Sequence, residues 1–143
     1  MVGRTVDNQR VGNIGLYWVC YRLSLAGWNV MPTARNARGI DIVAYTRDAS
    51  RAVTVQVKTL SERSPVPLGS SLAHLLGDFV VICRRATSEK PECFVLTPPE
   101  VRRLAHRGEK EGRVSYWLQP RQYEADEFRE AWARIGTGVS SAV

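Results

Sequence analysis

An α/β fold, a sheet with helices packed against it, is predicted by three features of the 143-residue sequence. A long apolar segment with helical spacing stands near the start. Two β-branched runs with two-residue alternation follow it. A continuous apolar run, DFVVICRR, then suits a central strand buried on both faces.

The stretch VGNIGLYWVCYRLSLAGW reads as the first helix. Ile14, Tyr17, Trp18, Tyr21 and Leu25 recur at helical spacing. Leu16, Val19, Cys20 and Leu23 fill most of the remaining circumference, so this helix packs on more than one side. Gly27 is its stop. WNVMP is a short strand ended by Pro32, and TARNARG is a polar loop. GIDIVAYTRDASRAVTVQVKT reads as a hairpin. LSERSPVPLGSSLAHLLG reads as a long connection with one short helix at about residues 70–76. DFVVICRR and ECFVL are strands. TPPEVRRLAHRG is a helix with Thr97 as N-cap, Pro98 at its first position, Glu100 completing a capping box and Gly108 ending it. RVSYWL is a late strand. YEADEFREAWARIG closes the chain as an amphipathic helix with Phe128, Trp132 and Ile135 on one face. The expected order is α-β-β-β-(α)-β-β-α-β-α.

The formal charge is +6, and arginine supplies most of the 20 cations. Clustered arginines point to a nucleic-acid partner, because their planar forks suit phosphate. Arg102, Arg103 and Arg107 are expected on one helix face, with Lys110 and Arg113 just after it, as a stripe that positions a nucleic-acid backbone. Cys20, Cys83 and Cys93 form no C-x-x-C pair. Such an odd set suits buried thiols in a reducing cytoplasm rather than a disulfide framework. No apolar run approaches the roughly 20 residues that cross a bilayer, so no membrane association is expected. His74 and His106 lack metal-ligand spacing, which argues against zinc. Trp117 and Trp132 are expected in the core.

Within the hairpin, three polar residues interrupt otherwise apolar strands: Asp41, Gln56 and Lys58. Side chains alternate faces along a strand. Val53, Val55 and Val57 share one face, and Thr54, Gln56 and Lys58 the other. A turn centred between Asp48 and Ala49 makes opposed residue numbers sum to 97, which sets Asp41 opposite Gln56 and Gly39 opposite Lys58. Directly opposed Cβ atoms lie about 4.5–5.5 Å apart. A carboxylate and an amide oxygen are hard ligands of the kind that hold Mg²⁺ with waters and substrate phosphates. An adjacent lysine can orient or deprotonate an attacking water. Together these suit metal-assisted phosphodiester hydrolysis. A partly buried Asp–Lys pair with a bonded Gln is the alternative reading of the same residues.

The pattern GID…VQVK resembles the core motif of the PD-(D/E)xK nuclease superfamily, which includes restriction endonucleases and Holliday-junction resolvases. RNARGID and QVKT also resemble a bacterial subset of small nuclease-like proteins. The resemblance covers roughly residues 12–84. It implies a restriction-endonuclease-like mixed sheet flanked by helices, with an α-β-β-β-α-β core plus a C-terminal strand and helix. It implies one nuclease-like domain over residues 1–143, with a core at about 11–97, a C-terminal extension at about 98–136 and a tail at 137–143. Asp41 and Gln56 then become ligands of Mg²⁺ (or Mn²⁺), and Lys58 the catalytic lysine. Arg35, Asn36 and Arg38, just before the hairpin, would hold DNA. Pairing of two sites to cut two strands makes a homodimer an expectation.

The sequence departs from this family's pattern twice. Gln56 stands where an acid is usual, and Leu16 follows Gly12 and Gly15 where a helix Glu is frequent. Asp7 and Asp78 are the other acids able to substitute, each also readable as a helix cap or strand-start residue. The alternative function is therefore a degraded nuclease-fold module that binds DNA or a protein partner without cutting.

Overall fold

The computed structural model describes residues 7–34 and 39–139. Helix α1 (Asn8–Leu25) begins at Asp7, whose carboxylate accepts the Arg10 N–H at 2.9 Å. It ends before Gly27, which takes φ +91° as a helix stop requires. Strands β1 (Asn29–Pro32), β2 (Ile42–Tyr45), β3 (Ala52–Thr59), β5 (Phe79–Arg84) and β6 (Glu92–Leu96) form one sheet in the order β1-β2-β3-β5-β6. Only the β3–β5 pair is parallel, so the sheet is mixed. Strands β4 (Val66–Gly69), β7 (His106–Lys110) and β8 (Arg113–Leu118) form a second sheet in the order β4-β8-β7. Helix α2 (Pro98–Leu104) follows β6, and the short α3 (Pro120–Tyr123) follows β8.

The five-stranded sheet buries apolar residues on both faces. On one face Val19 and Leu23 of α1 pack with Ile42, Ala44, Val53, Val55, Val81 and Cys83. On the other, Val80, Ile82, Phe94 and Leu96 meet Val101 of α2, Leu118 of β8 and Phe128. All three cysteines are buried free thiols. No helix among the described residues is long and apolar enough to cross a membrane.

Three expected elements differ from those observed. The connection after β3 contains a strand, β4, besides a 3₁₀ turn at Leu72–His74. Its partner β8 lies some fifty residues on (Val66 faces Leu118), so nothing local announces it. The helix with the Thr97–Glu100 capping box stops at Ala105, not Gly108, and residues 106–110 turn into β7. Arg107 therefore leaves the helix face that carries Arg102 and Arg103. The closing amphipathic helix does not form. Glu130 takes φ +47°, and the segment bonds to β6 instead: Val95 N–H donates to the Phe128 carbonyl at 2.9 Å, and Glu130 N–H to the Cys93 carbonyl at 2.8 Å. Phe128 and Ile135 are buried all the same, through strand-like pairing and a 3₁₀ turn at Trp132–Arg134. Trp132 and Trp117 are each only half-buried.

Helix α1 lies so close to β3 that a Cβ at Gly15 would stand 2.1 Å from Thr59 Oγ1. Nothing lies within 4 Å of the Cβ position at Gly12. Gly15→Ala is thus expected to lower stability by about 1–3 kcal/mol through overpacking. Gly12→Ala should raise it by about 0.5–1 kcal/mol through helix propensity. Urea unfolding of the two variants checks this, and equal effects would contradict the close approach at Thr59.

The basic side chains at the end of β5 are structural. Arg84 is buried, and donates to Glu92 at 3.0 Å and to Glu124 at 2.5 Å. Its guanidinium lies 4.8 Å from the Phe94 ring centroid. Burial opposes its charge, but bonds to Glu124, Tyr123 and Glu92 outweigh that and hold it above its ordinary value. Arg63 and Arg84 pull the Glu124 carboxyl down from 4.5 to about 2. A carboxylate depressed on folding stabilises above its unfolded value and loses that contribution as pH falls. Stability should drop by about 2 kcal/mol between pH 4.5 and pH 2, from Glu124 alone. Denaturant midpoints across this range check it, and Glu124→Gln should flatten the curve.

Candidate active site

The β2–β3 hairpin has the register that a turn between Asp48 and Ala49 dictates. Ile42 faces Val55 and Ala44 faces Val53, so opposed numbers sum to 97. The turn is fastened by Asp48, whose Oδ1 accepts from the Thr46 hydroxyl and from the Ser50 amide and hydroxyl. The paired register stops at Ile42: the Asp41 N–H donates to the carbonyl of Val55, the residue that Ile42 already faces, so Asp41 does not take the place opposite Gln56 that the turn predicts. Lys58 shares the Gln56 face of β3.

Asp41 sits where the ladder to β3 runs out. Its N–H donates to the Val55 carbonyl and its carbonyl accepts from the Thr33 N–H, both at 2.9 Å, so its backbone is tied to β3 and to the β1 side. Its Oδ2 accepts from the Val57 N–H at 2.7 Å, standing in for the carbonyl the ladder no longer supplies. Oδ1 has no hydrogen bond among the described residues.

Gln56 is buried, 6% exposed. Its Nε2 donates to the His74 carbonyl at 3.4 Å, a long bond to the Leu72–His74 turn that covers this face. Its Oε1 is buried without a partner among the described residues. A buried acceptor without a partner carries a desolvation penalty, so it marks a place where the fold tolerates instability. Lys58 is half-buried. Burial lowers its amine below the ordinary lysine value, while the Asp41 charge pulls in the other direction.

A cleft of about 450 Å³ opens on Asp41 from the α1 side, lined by Gln9, Asn13 and Leu16 of α1 together with Thr33 and Thr59. The cleft reaches Asp41 but not Gln56 or Lys58, which belong to the opposite side of β3. Asp41 thus stands at the lip between an open cleft and a covered amide. Gln9 and Asn13 carry no charge and lie on the first turns of α1, so no motif singles them out in the sequence. They put amides, with Leu16, where a helix acid would add a carboxylate.

The other two acids are engaged elsewhere. Asp7 caps α1. Asp78 Oδ2 accepts from the Thr54 amide at 2.9 Å and from its hydroxyl at 3.1 Å, fastening the start of β5 to β3. No group of three His, Cys, Asp or Glu side chains able to hold a metal occurs among the described residues. Asp41 Oδ1 is nevertheless a hard oxygen of the kind Mg²⁺ accepts when waters and substrate phosphates complete its shell, and Gln56 Oε1, on the other side of β3, is a second. The residues present fit such an ion, with one negative charge from the protein. Arg35, Asn36 and Arg38 lie outside the described residues.

No family model and no curated protein matches this chain. Two solved structures do. A bacterial homing endonuclease is 19% identical, with a TM-score of 0.62, over 91% of this chain and 93% of its own. The Holliday junction resolvase of the archaeal hyperthermophile Archaeoglobus fulgidus is 16% identical, with a TM-score of 0.50, over 75% of this chain and 89% of its own.

Proposed function

The protein has the restriction-endonuclease-like fold, a mixed sheet flanked by helices, and from that premise we propose that it is a divalent-metal-dependent nuclease that hydrolyses DNA phosphodiester bonds. The observation that carries the reading is Asp41 at the lip of the open cleft, its Oδ1 free of hydrogen bonds among the described residues. Asp41 and Gln56 would hold Mg²⁺ or Mn²⁺. When bound, the ion supplies Lewis-acid polarisation of a phosphoryl oxygen. Lys58, with its amine lowered by burial, takes the proton of the attacking water. Arg35, Asn36 and Arg38 hold the DNA backbone. Both structural neighbours are named for enzymes that act on DNA, which supports the substrate class.

A second reading, binding without cutting, is favoured by one observation: Asp41 is the site's single carboxylate, and Leu16 adds none. Supercoiled plasmid and branched DNA, incubated with and without Mg²⁺ or Mn²⁺ beside Asp41→Ala, separate the two. Metal-dependent nicking that Asp41→Ala abolishes supports the nuclease. Salt-sensitive binding without nicking supports the module, and neither binding nor nicking sinks both.

A further inference from the structure

We propose that the β7–β8 hairpin is a DNA-binding ribbon whose tip cations, Lys110 and Arg113, clamp backbone phosphates away from the hydrolytic site. The inference rests on the DNA-acting reading above. The two cations face each other directly in the ladder. Like charges directly opposed destabilise a sheet, so this pair works against the hairpin unless an anion joins it. Neither residue has an ion-pair partner among the described residues, and both are exposed. The neighbouring acids do not answer the pair. Glu109 points to the other face, where it meets Arg107 at 3.4 Å, and Glu111 occupies the turn.

The hairpin is built stiff. Two residues, Glu111 at φ +53° and Gly112 at φ +76°, close it, the backbone signature of the tight turn that matches strand twist. The face that carries the cations is flat. Trp117 stacks on His106, with centroids 5.9 Å apart, and covers Gly108, where a Cβ would come within 2.9 Å of the indole. Ser115 adds a hydroxyl on the same face. From that aromatic root to the tip is about 14 Å, at about 3.4 Å per residue.

Charged side chains also protect the edges of sheets. Edge protection needs a single charge on each free edge; β4 pairs with β8 only at Tyr116–Leu118, so at the tip both strands are edges, and what protection does not explain is that the two charges are alike and directly opposed. The root of the ribbon is held by β4, with Trp117 facing Pro67 and Leu118 facing Val66. The chain that leaves β4 forms the turn whose His74 carbonyl accepts from Gln56. One connection therefore joins the ribbon to the cover of the candidate site. A two-stranded ribbon fits the major groove of B-form DNA, about 12 Å wide. The deep, narrow major groove of duplex RNA excludes it.

The test measures affinity of the full chain for a labelled DNA duplex of about 30 base pairs, across a salt series without divalent metal. Lys110→Ala/Arg113→Ala is compared with Arg47→Ala/Lys90→Ala, which removes the same charge from two other exposed turns. The ribbon variant should weaken binding at least tenfold at about 0.1 M salt and reduce the slope of log K against log salt by about 1.8. Its thermal midpoint should not fall, because it relieves a like-charge pair. The comparison variant should stay within about threefold of wild type in affinity. An unchanged ribbon variant, or equal losses in both variants, overturns the ribbon and leaves the nuclease reading intact. Equal binding of a matched RNA duplex also overturns it. Absence of DNA binding by the unaltered protein overturns both.

Discussion

Lys58→Ala is expected to slow metal-dependent nicking by about 10²–10⁴-fold, the range of a lost general base, while DNA affinity stays within a few-fold. Asp41→Ala should be at least as severe, because it removes the single carboxylate. The pH profile then identifies what Lys58 does. Burial lowers its amine, so the neutral form becomes available at a lower pH than for an ordinary lysine. If the amine takes the proton from water, the rate rises with pH through that lowered value. Lys58→Arg, always charged, should lose this limb and remain slow. A rate that falls with rising pH, with Lys58→Arg retaining activity, would assign the ammonium to charge stabilisation instead. Stability follows the same group with its own sign. The folded state disfavours the charged amine, so this penalty is present at low pH. It relaxes as pH climbs from the lowered value towards 10.5.

Gln56→Met is expected to move stability and activity in opposite directions. The substitution keeps nearly the same shape and removes the orphaned Oε1. An unsatisfied buried acceptor costs about 1–3 kcal/mol, while the lost 3.4 Å bond to His74 is weak and its carbonyl belongs to an exposed residue. A net gain of about 1 kcal/mol should raise the thermal midpoint by roughly 2–4 °C for a chain of this size. Cleavage should vanish, because a thioether does not replace a hard-oxygen ligand. Gln56→Glu should do the reverse: lower stability in the absence of metal, and tighter Mg²⁺ binding through the added charge. A Met variant less stable than the parent would show that the oxygen is satisfied after all.

Local signals in the sequence were legible where chemistry is local. The cap at Thr97 and Glu100, the apolar run of β5 and the register of the β2–β3 hairpin are all set by residues within one or two turns of each other. What escaped was decided at a distance. Val66 and Leu68 read as a loop because their partner strand lies far along the chain. Gly108 reads as a helix stop, yet the helix had already ended at Ala105, and the glycine's space serves Trp117 instead. Phe128, Trp132 and Ile135 have helical spacing, but backbone bonds to Cys93 and Val95 took the segment into the sheet. Of the candidate site, the alternation put Gln56 and Lys58 on one face of β3, but it did not reveal that Asp41, beyond the last paired residue, opens with Val57 and Thr59 onto the cleft beside α1. It did not reveal that a turn lies over Gln56, or that Gln9 and Asn13 line the approach to Asp41.

The strand-like segment at Phe128–Glu130 has a consequence for self-association. By filling the free side of β6, it leaves the five-stranded sheet one outer rim among the described residues, at β1. That rim is four residues long and ends in Pro32, which has no N–H to offer a neighbour. Two copies therefore cannot merge these sheets into one continuous ladder through β6, and have little backbone to do so through β1. A homodimer built on the five-stranded sheet has to be assembled by side chains, and single surface substitutions there should be enough to take it apart.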